Sequence, residues 1–259
     1  MQQVQYLNLV LWIIDTTFIA ILGVAYLFYI RFYNNWNIPQ INSANDVISN
    51  ESIKTVINTF LKEYKLEDYE VVFTDHHSHF KPFSNLKKHK KQILISKHLF
   101  VSVGYELDYI VSKIWLSAQE IKKNPRAIFY KISIKWMNWT LMIIAILAYL
   151  LQTVISFYLM VVNDLTGISN FFAFLLTSSI GTILLLATFV FFLFNYLLSW
   201  KLKEQMELAY NKDTVMIFKN TLSEYYFDFI AAREMATNIR SPLINFGKKT
   251  TKWFGPFVI

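Results

Sequence analysis

Residues Trp139–Val162 read WTLMIIAILAYLLQTVISFYLMVV and carry no charged side chain. A bilayer core about 30 Å thick is crossed by about 20 apolar residues, each rising about 1.5 Å along a helix. This stretch therefore predicts a membrane-spanning helix, and its length leaves little room for another reading. Two further stretches have the same character. Phe171–Trp200 is uncharged throughout, and Tyr6–Ile30 contains one charge, Asp15. The third stretch is long enough to tilt or to project beyond the bilayer. Composition agrees: the chain is 54% hydrophobic and 17% aromatic, with positive mean hydropathy, above what an ordinary soluble domain carries.

The first stretch is read as an anchor. Residues 1–5 hold no Lys or Arg, and Tyr26-Leu27-Phe28-Tyr29-Ile30 at its far end lacks the small residues of a cleavage site. Orientation follows from the basic residues. Residues 31–138 contain 16 Lys and Arg and residues 201–259 contain 9, whereas Asn163–Asn170 and the first five residues contain none. Segments 31–138 and 201–259 are expected to face the cytoplasm, with the N-terminus outside. The expected layout is a transmembrane helix at 6–30, a small α+β cytoplasmic domain at 31–138, transmembrane helices at 139–162 and 171–200, and a helical cytoplasmic tail at 201–259.

Within 31–138, Arg31–Asn45 is a polar, Asn-rich linker. Asp46 or Ser49 could cap a helix running to about Tyr64, whose apolar Val56, Ile57, Phe60 and Leu61 recur at helical spacing. Tyr69–Thr74 and Ile93–Ser96 have strand composition, separated by a polar, basic connection over 76–92. A helix then begins near Tyr105 and runs toward Lys123. Asp213–Arg240 predicts further helix, and Pro242, Gly247 and Gly255-Pro256 interrupt the last twenty residues. The helical stretch Tyr109-Ile110-Val111-Ser112-Lys113-Ile114-Trp115-Leu116-Ser117-Ala118-Gln119, whose one charge is Lys113, lies shortly before a span.

That order of elements, with His79-Phe80-Lys81-Pro82 in the connection, Ile93-Leu94-Ile95-Ser96 in the second strand, Phe194-Asn195 near the end of the last span and Ala209 after it, resembles the bacterial membrane zinc metallopeptidases called YugP-like, or neutral zinc metallopeptidases. The resemblance implies a zinc helix carrying His-Glu-x-x-His. Counting from Ser96 without a gap, those five positions fall on Lys113-Ile114-Trp115-Leu116-Ser117. Zinc peptidase chemistry requires two imidazoles at i and i+4 and a carboxylate acting on the bound water. Lys113 is ordinarily protonated and offers no lone pair, Ile114 has no titratable group, and Ser117 is a poor zinc ligand. The family's acidic ligand falls near Leu202, beside Glu204 and Glu207. The expectation is a member of this fold, in the bacterial inner membrane, without catalytic residues or cofactor. Its implied role is structural: docking or assembling other protein subunits in a membrane complex. An active zinc peptidase with an atypical metal site and an unrelated membrane subunit of a larger machine are the alternatives. With Ile114 and Trp115 at positions a peptidase leaves open, the former cleft beside 113–117 is expected to be filled, either by the chain's own tail around Tyr225–Ala232 or by a partner.

Other clusters are weighed beside this. His76, His77 and His79 form the densest histidine group, a weak metal candidate among the repelling lysines of the connection. Lys87, Lys88, Lys90 and Lys91 form a basic run suited to solvent, anionic lipid headgroups or an acidic partner. Asp15, inside a span, is an intramembrane polar contact, read as pairing with a partner subunit. The net charge is +7 without a basic, base-reading motif, so nucleic acid is not expected. There is no cysteine, which excludes disulfides and thiolate metal sites.

Overall fold

Ser49 caps the first helix of the α+β region: its hydroxyl accepts from the Ser52 amide at 3.1 Å and so satisfies one of the orphan donors of a helix start. The computed structural model describes residues 2–34, 48–74, 85–96, 103–162, 169–238 and 255–257. The chain is mostly helical, with a small three-stranded sheet and three helices long and apolar enough to cross a membrane. It divides into two units, one of residues 1–32 with 135–197, the other of 33–134 with 198–259.

The first unit contains α1 (Gln2–Asn34), α5 (Asn138–Val161), α6 (Asn170–Thr177) and the beginning of α7 (Ile180–Thr221). Its pattern is the reverse of a water-soluble core. Leu27, Leu147, Val154, Val190 and Leu197 are exposed, while Asn8, Asp15, Gln152, Ser156 and Thr182 are buried beside Ala145 and Ala148. Lipid tails are as apolar as leucine, so such helices associate through close packing of small residues and through polar bonds. Gln152 Nε2 donates to Asn8 Oδ1 at 3.0 Å, Ser156 Oγ to the Asn8 carbonyl at 3.1 Å, and Gln5 Nε2 to the Leu159 carbonyl at 2.7 Å. Gly181 permits the closest approach: a Cβ there would lie 3.1 Å from the Ala148 carbonyl oxygen and 2.9 Å from the Gln152 side chain.

The apolar stretch 171–200 is not one helix. It breaks at Ser178-Ser179, where Ser179 takes φ +52 and the Ser178 amide closes the preceding turn on the Phe174 carbonyl at 2.9 Å. Thr177 Oγ1 bonds back to the Ala173 carbonyl at 2.8 Å, the local competition that lets Ser and Thr end helices. Beyond the break, α7 runs without interruption from Ile180 to Thr221, so the span and the first part of the tail are one helix. The helix predicted over 213–240 is interrupted at Leu222–Tyr225 and resumes as α8 (Tyr226–Asn238). On the other side, α5 is preceded by α4 (Pro125–Lys131) and a π-helical turn, Ile132–Met137.

The second unit holds α2 (Asn50–Glu63), β1 (Glu70–Thr74), β2 (Leu86–Lys87), β3 (Gln92–Ser96), α3 (Val103–Ile121), α4, the remainder of α7, and α8. The sheet order is β1-β3-β2. β3 pairs in parallel with β1, Val71 opposite Ile93, and antiparallel with β2, Leu86 opposite Ile93. β2 lies in what sequence reading treats as plain connection; two residues, Leu86-Lys87, are too short for an alternating pattern to show. Ile93 and Ile95 are buried on one face of β3. They join a core in which Phe60 of α2 lies 5.2 Å from Phe218 of α7, and Phe218 stacks on Phe229 of α8 at 4.0 Å between centroids. α3 packs against α8, α2 and β3.

Candidate functional site

A helix that serves a peptidase must leave one face open to water and substrate. On α3 no such face remains between Leu107 and Gln119, where each residue is buried. Ile114 is 0% exposed and Trp115 1%. The α8 backbone passes so close to the start of α3 that a Cβ on Gly104 would collide with the Asp228 carbonyl, and Ala232 lies on the same side.

Trp115 points its ring edge-on toward Tyr210 of α7 (5.4 Å between centroids) and toward Phe257 (5.7 Å). Its indole N–H donates to Asp213 Oδ2 at 2.8 Å, which supplies the polar partner a buried tryptophan needs. Ser117 Oγ donates to the Lys113 carbonyl at 2.8 Å, so its hydroxyl serves the helix itself. Lys113 is 4% exposed. Its ammonium lies 5.1 Å from the centroid of the Tyr109 ring, and burial pushes its pKa down to about 8 because a charged amine is disfavoured away from water. Burial also raises the Glu106 carboxyl, at the start of α3, to about 7.

Beneath the helix lies a buried ionic cluster. Arg233 of α8 donates from one terminal nitrogen to both oxygens of Asp108 of α3, at 3.0 and 3.2 Å, from the other to Glu207 of α7, and from Nε to Asn211 Oδ1. Its guanidinium sits 4.6 Å from the Tyr210 ring centroid, and Tyr210 donates its hydroxyl to the Asp108 carbonyl at 3.1 Å. Burial works against the Arg233 charge, but Asp108 and Glu207 outweigh it and hold its pKa above the ordinary value. Lys203, one turn before Glu207, is buried as well. With both carboxylates engaged by one arginine, the cluster clamps three helices together, while Glu207 Oε1 stays without a hydrogen bond. Removing one member of such a group strands buried charge, which is where its grip on the fold comes from.

The zinc implied by the family resemblance does not fit these residues. An ammonium, a branched hydrocarbon and a self-bonded hydroxyl stand at its three chemical positions, and Glu207, near the expected acidic ligand, is bound to Arg233. Among the described residues no three His, Asp or Glu side chains are grouped as a metal site requires. His76, His77 and His79 lie outside the described residues.

The other predicted residues fall elsewhere. Lys87, Lys88, Lys90 and Lys91 are exposed around the turn from β2 to β3, where Lys91 takes φ +48 and pairs with Asp68 at 2.9 Å. Surface pairs of this kind contribute little to stability, so the run remains an accessible basic tip. Asp15 accepts a hydrogen bond from Thr182 Oγ1 at 2.9 Å; its polar contact is supplied by the same chain. Sequence reasoning missed Asp108 and Arg233. A charge inside the apolar run Leu107–Val111 is a signal for a buried partner, but 125 residues separate the pair and no spacing rule connects them. The Asn8–Gln152–Ser156 seam was missed for the same reason. No protein family, no curated protein and no solved structure matches this chain.

Proposed function

We propose that the chain is a catalytically inactive relative of the YugP-like membrane zinc metallopeptidases, acting as a structural, docking or assembly subunit of a membrane-associated protein complex. The observation that carries this reading is the burial of α3 positions 113–117 by the chain's own α7, α8 and residue 257. A peptidase helix needs a cleft at those positions, and here the volume is filled by hydrocarbon, aromatic rings and a charge clamp. A protein that turns a catalytic cleft into a packed core retains rigidity, surface and membrane attachment, which are the properties a docking subunit uses. The proposed setting is the bacterial inner membrane. Residues 31–138 and 201–259 face the cytoplasm, where the exposed basic tip at Lys87, Lys88, Lys90 and Lys91 meets anionic headgroups or an acidic partner.

The test combines three measurements on the full chain in its native membrane. The purified protein is expected to hold no stoichiometric zinc and to cleave no peptide. Gently extracted protein is expected to migrate as a complex larger than the chain in its detergent micelle. Lys88→Cys, in a chain with no native cysteine, is expected to escape an impermeant thiol reagent on intact cells. About one zinc per chain together with peptide cleavage overturns the inactive reading. A monomer on extraction overturns the subunit role, and labelling at position 88 reverses the orientation.

A further inference from the structure

Residues 255–257, Gly-Pro-Phe, are buried, and their surroundings have the features of a peptide-recognition pocket. Phe257 is 2% exposed. Three rings meet it edge-on: Tyr210 at 5.5 Å, Trp115 at 5.7 Å and Tyr130 at 6.0 Å between centroids, at interplanar angles of 80°, 72° and 87°. Edge-to-face contact is the favoured geometry for aromatic pairs, and here three receptor rings converge on one inserted side chain.

The residue two places earlier is equally specified. Gly255 takes φ +80, and any Cβ there would run into the Glu207 carboxylate and approach Ala236 to 3.1 Å. Only glycine combines that backbone with that proximity. Pro256, buried between them, brings no amide N–H into the dry pocket. Glu207 Oε1, against which Gly255 is seated, is buried and has no hydrogen-bond partner. The pocket thus holds an unspent acceptor at one end and an aromatic cage at the other.

We propose that this pocket, built from α3, α4, α7 and α8, is a binding site for Gly-Pro-Phe peptide segments and that residues 255–257 occupy it in cis. The inference rests on the docking reading, because it identifies the surface that would receive another protein's peptide once the chain's own segment is displaced. Because the segment belongs to the same chain, its seating is intramolecular. An intramolecular ligand acts at an effective concentration on the order of millimolar, so the intact chain is expected to exclude free peptide.

The experiment uses the full chain in detergent or nanodiscs, with a protease recognition sequence replacing residues 244–250. After cleavage, a fluorescent peptide of residues 253–259 is titrated and followed by anisotropy. The cleaved protein is expected to bind the peptide saturably, at least about tenfold tighter than the uncleaved protein. The same peptide carrying Phe257→Ala is expected to bind at least about tenfold more weakly. In the uncleaved protein, Phe257→Ala is expected to open the pocket to the wild-type peptide, an arm that remains if the severed protein precipitates. Absence of peptide binding in the folded cleaved protein or in the Phe257→Ala chain overturns the proposal, as does equal binding of the two peptides. Zinc content and complex size play no part in these readouts, so the docking reading can fail by its own test while this one stands.

Discussion

Lys113 offers the sharpest test of how α3 is packed. Its ammonium is buried, and burial pushes the pKa from 10.5 down to about 8. Each pKa unit corresponds to about 1.4 kcal/mol, so the charged form is held at a disadvantage of about 3 kcal/mol relative to the unfolded chain. The cation–π contact with Tyr109 returns ~0.5–1 kcal/mol. Lys113→Met keeps a long flexible side chain and removes the charge, and at pH 7 it is expected to stabilise the protein by about 2–3 kcal/mol. For a unit of this size that corresponds to a rise on the order of 5–10 °C in Tm. The sign with pH follows from proton counting. Between the folded pKa and 10.5 the unfolded chain binds a proton that the native protein lacks, so native stability rises with pH through that window. The variant has no such dependence, and its advantage is expected to be full at pH 7 and to close by about pH 10.5. The assay is thermal unfolding of both proteins in the same detergent from pH 7 to pH 10.5. An unchanged or lower midpoint for the variant at pH 7, or a gap that does not narrow with pH, would refute the view of Lys113 as a charge held in dry surroundings.

Three further outcomes follow from the packing. Arg233→Met strands the carboxylates of Asp108 and Glu207 and is expected to destabilise the protein by about 3–5 kcal/mol, seen as a lower midpoint and faster proteolysis of α8. Introducing a zinc signature through Lys113→His, Ile114→Glu and Ser117→His places a carboxylate where Ile114 is 0% exposed. That forfeits about 1.5–3 kcal/mol of apolar burial, so the triple variant is expected to melt earlier and retain no zinc on metal analysis; equal stability with bound zinc contradicts the filled cleft. Gly181→Ala forces a methyl against the Ala148 carbonyl and Gln152 and is expected to destabilise the first unit by about 1–3 kcal/mol, measured by unfolding in detergent, while Gly23→Ala, with open space at its Cβ, is expected to change nothing.

Local chemistry made much of the architecture legible. The uncharged run Trp139–Val162 specifies a membrane helix because burying charge in hydrocarbon is prohibitive, and that constraint acts residue by residue along the chain. Ser49 as helix cap, the strands at 70–74 and 92–96 and the helix through Tyr109–Gln119 follow from capping chemistry and periodicity, which are equally local. The departure at Lys113, Ile114 and Ser117 from what zinc requires is also plain from side-chain chemistry alone. Tertiary structure decided the rest. The close approach of α7 to α5 at Gly181 joins residues distant in the chain, and no short-range signal carries that distance. The Asp108–Arg233–Glu207 clamp, the Asp15–Thr182 bond and the seating of Phe257 among Trp115, Tyr130 and Tyr210 join residues far apart in the chain. Burial is a property of the folded neighbourhood: the same lysine would be an ordinary solvated cation on an open helix, and it becomes a strained charge because α3 is enclosed.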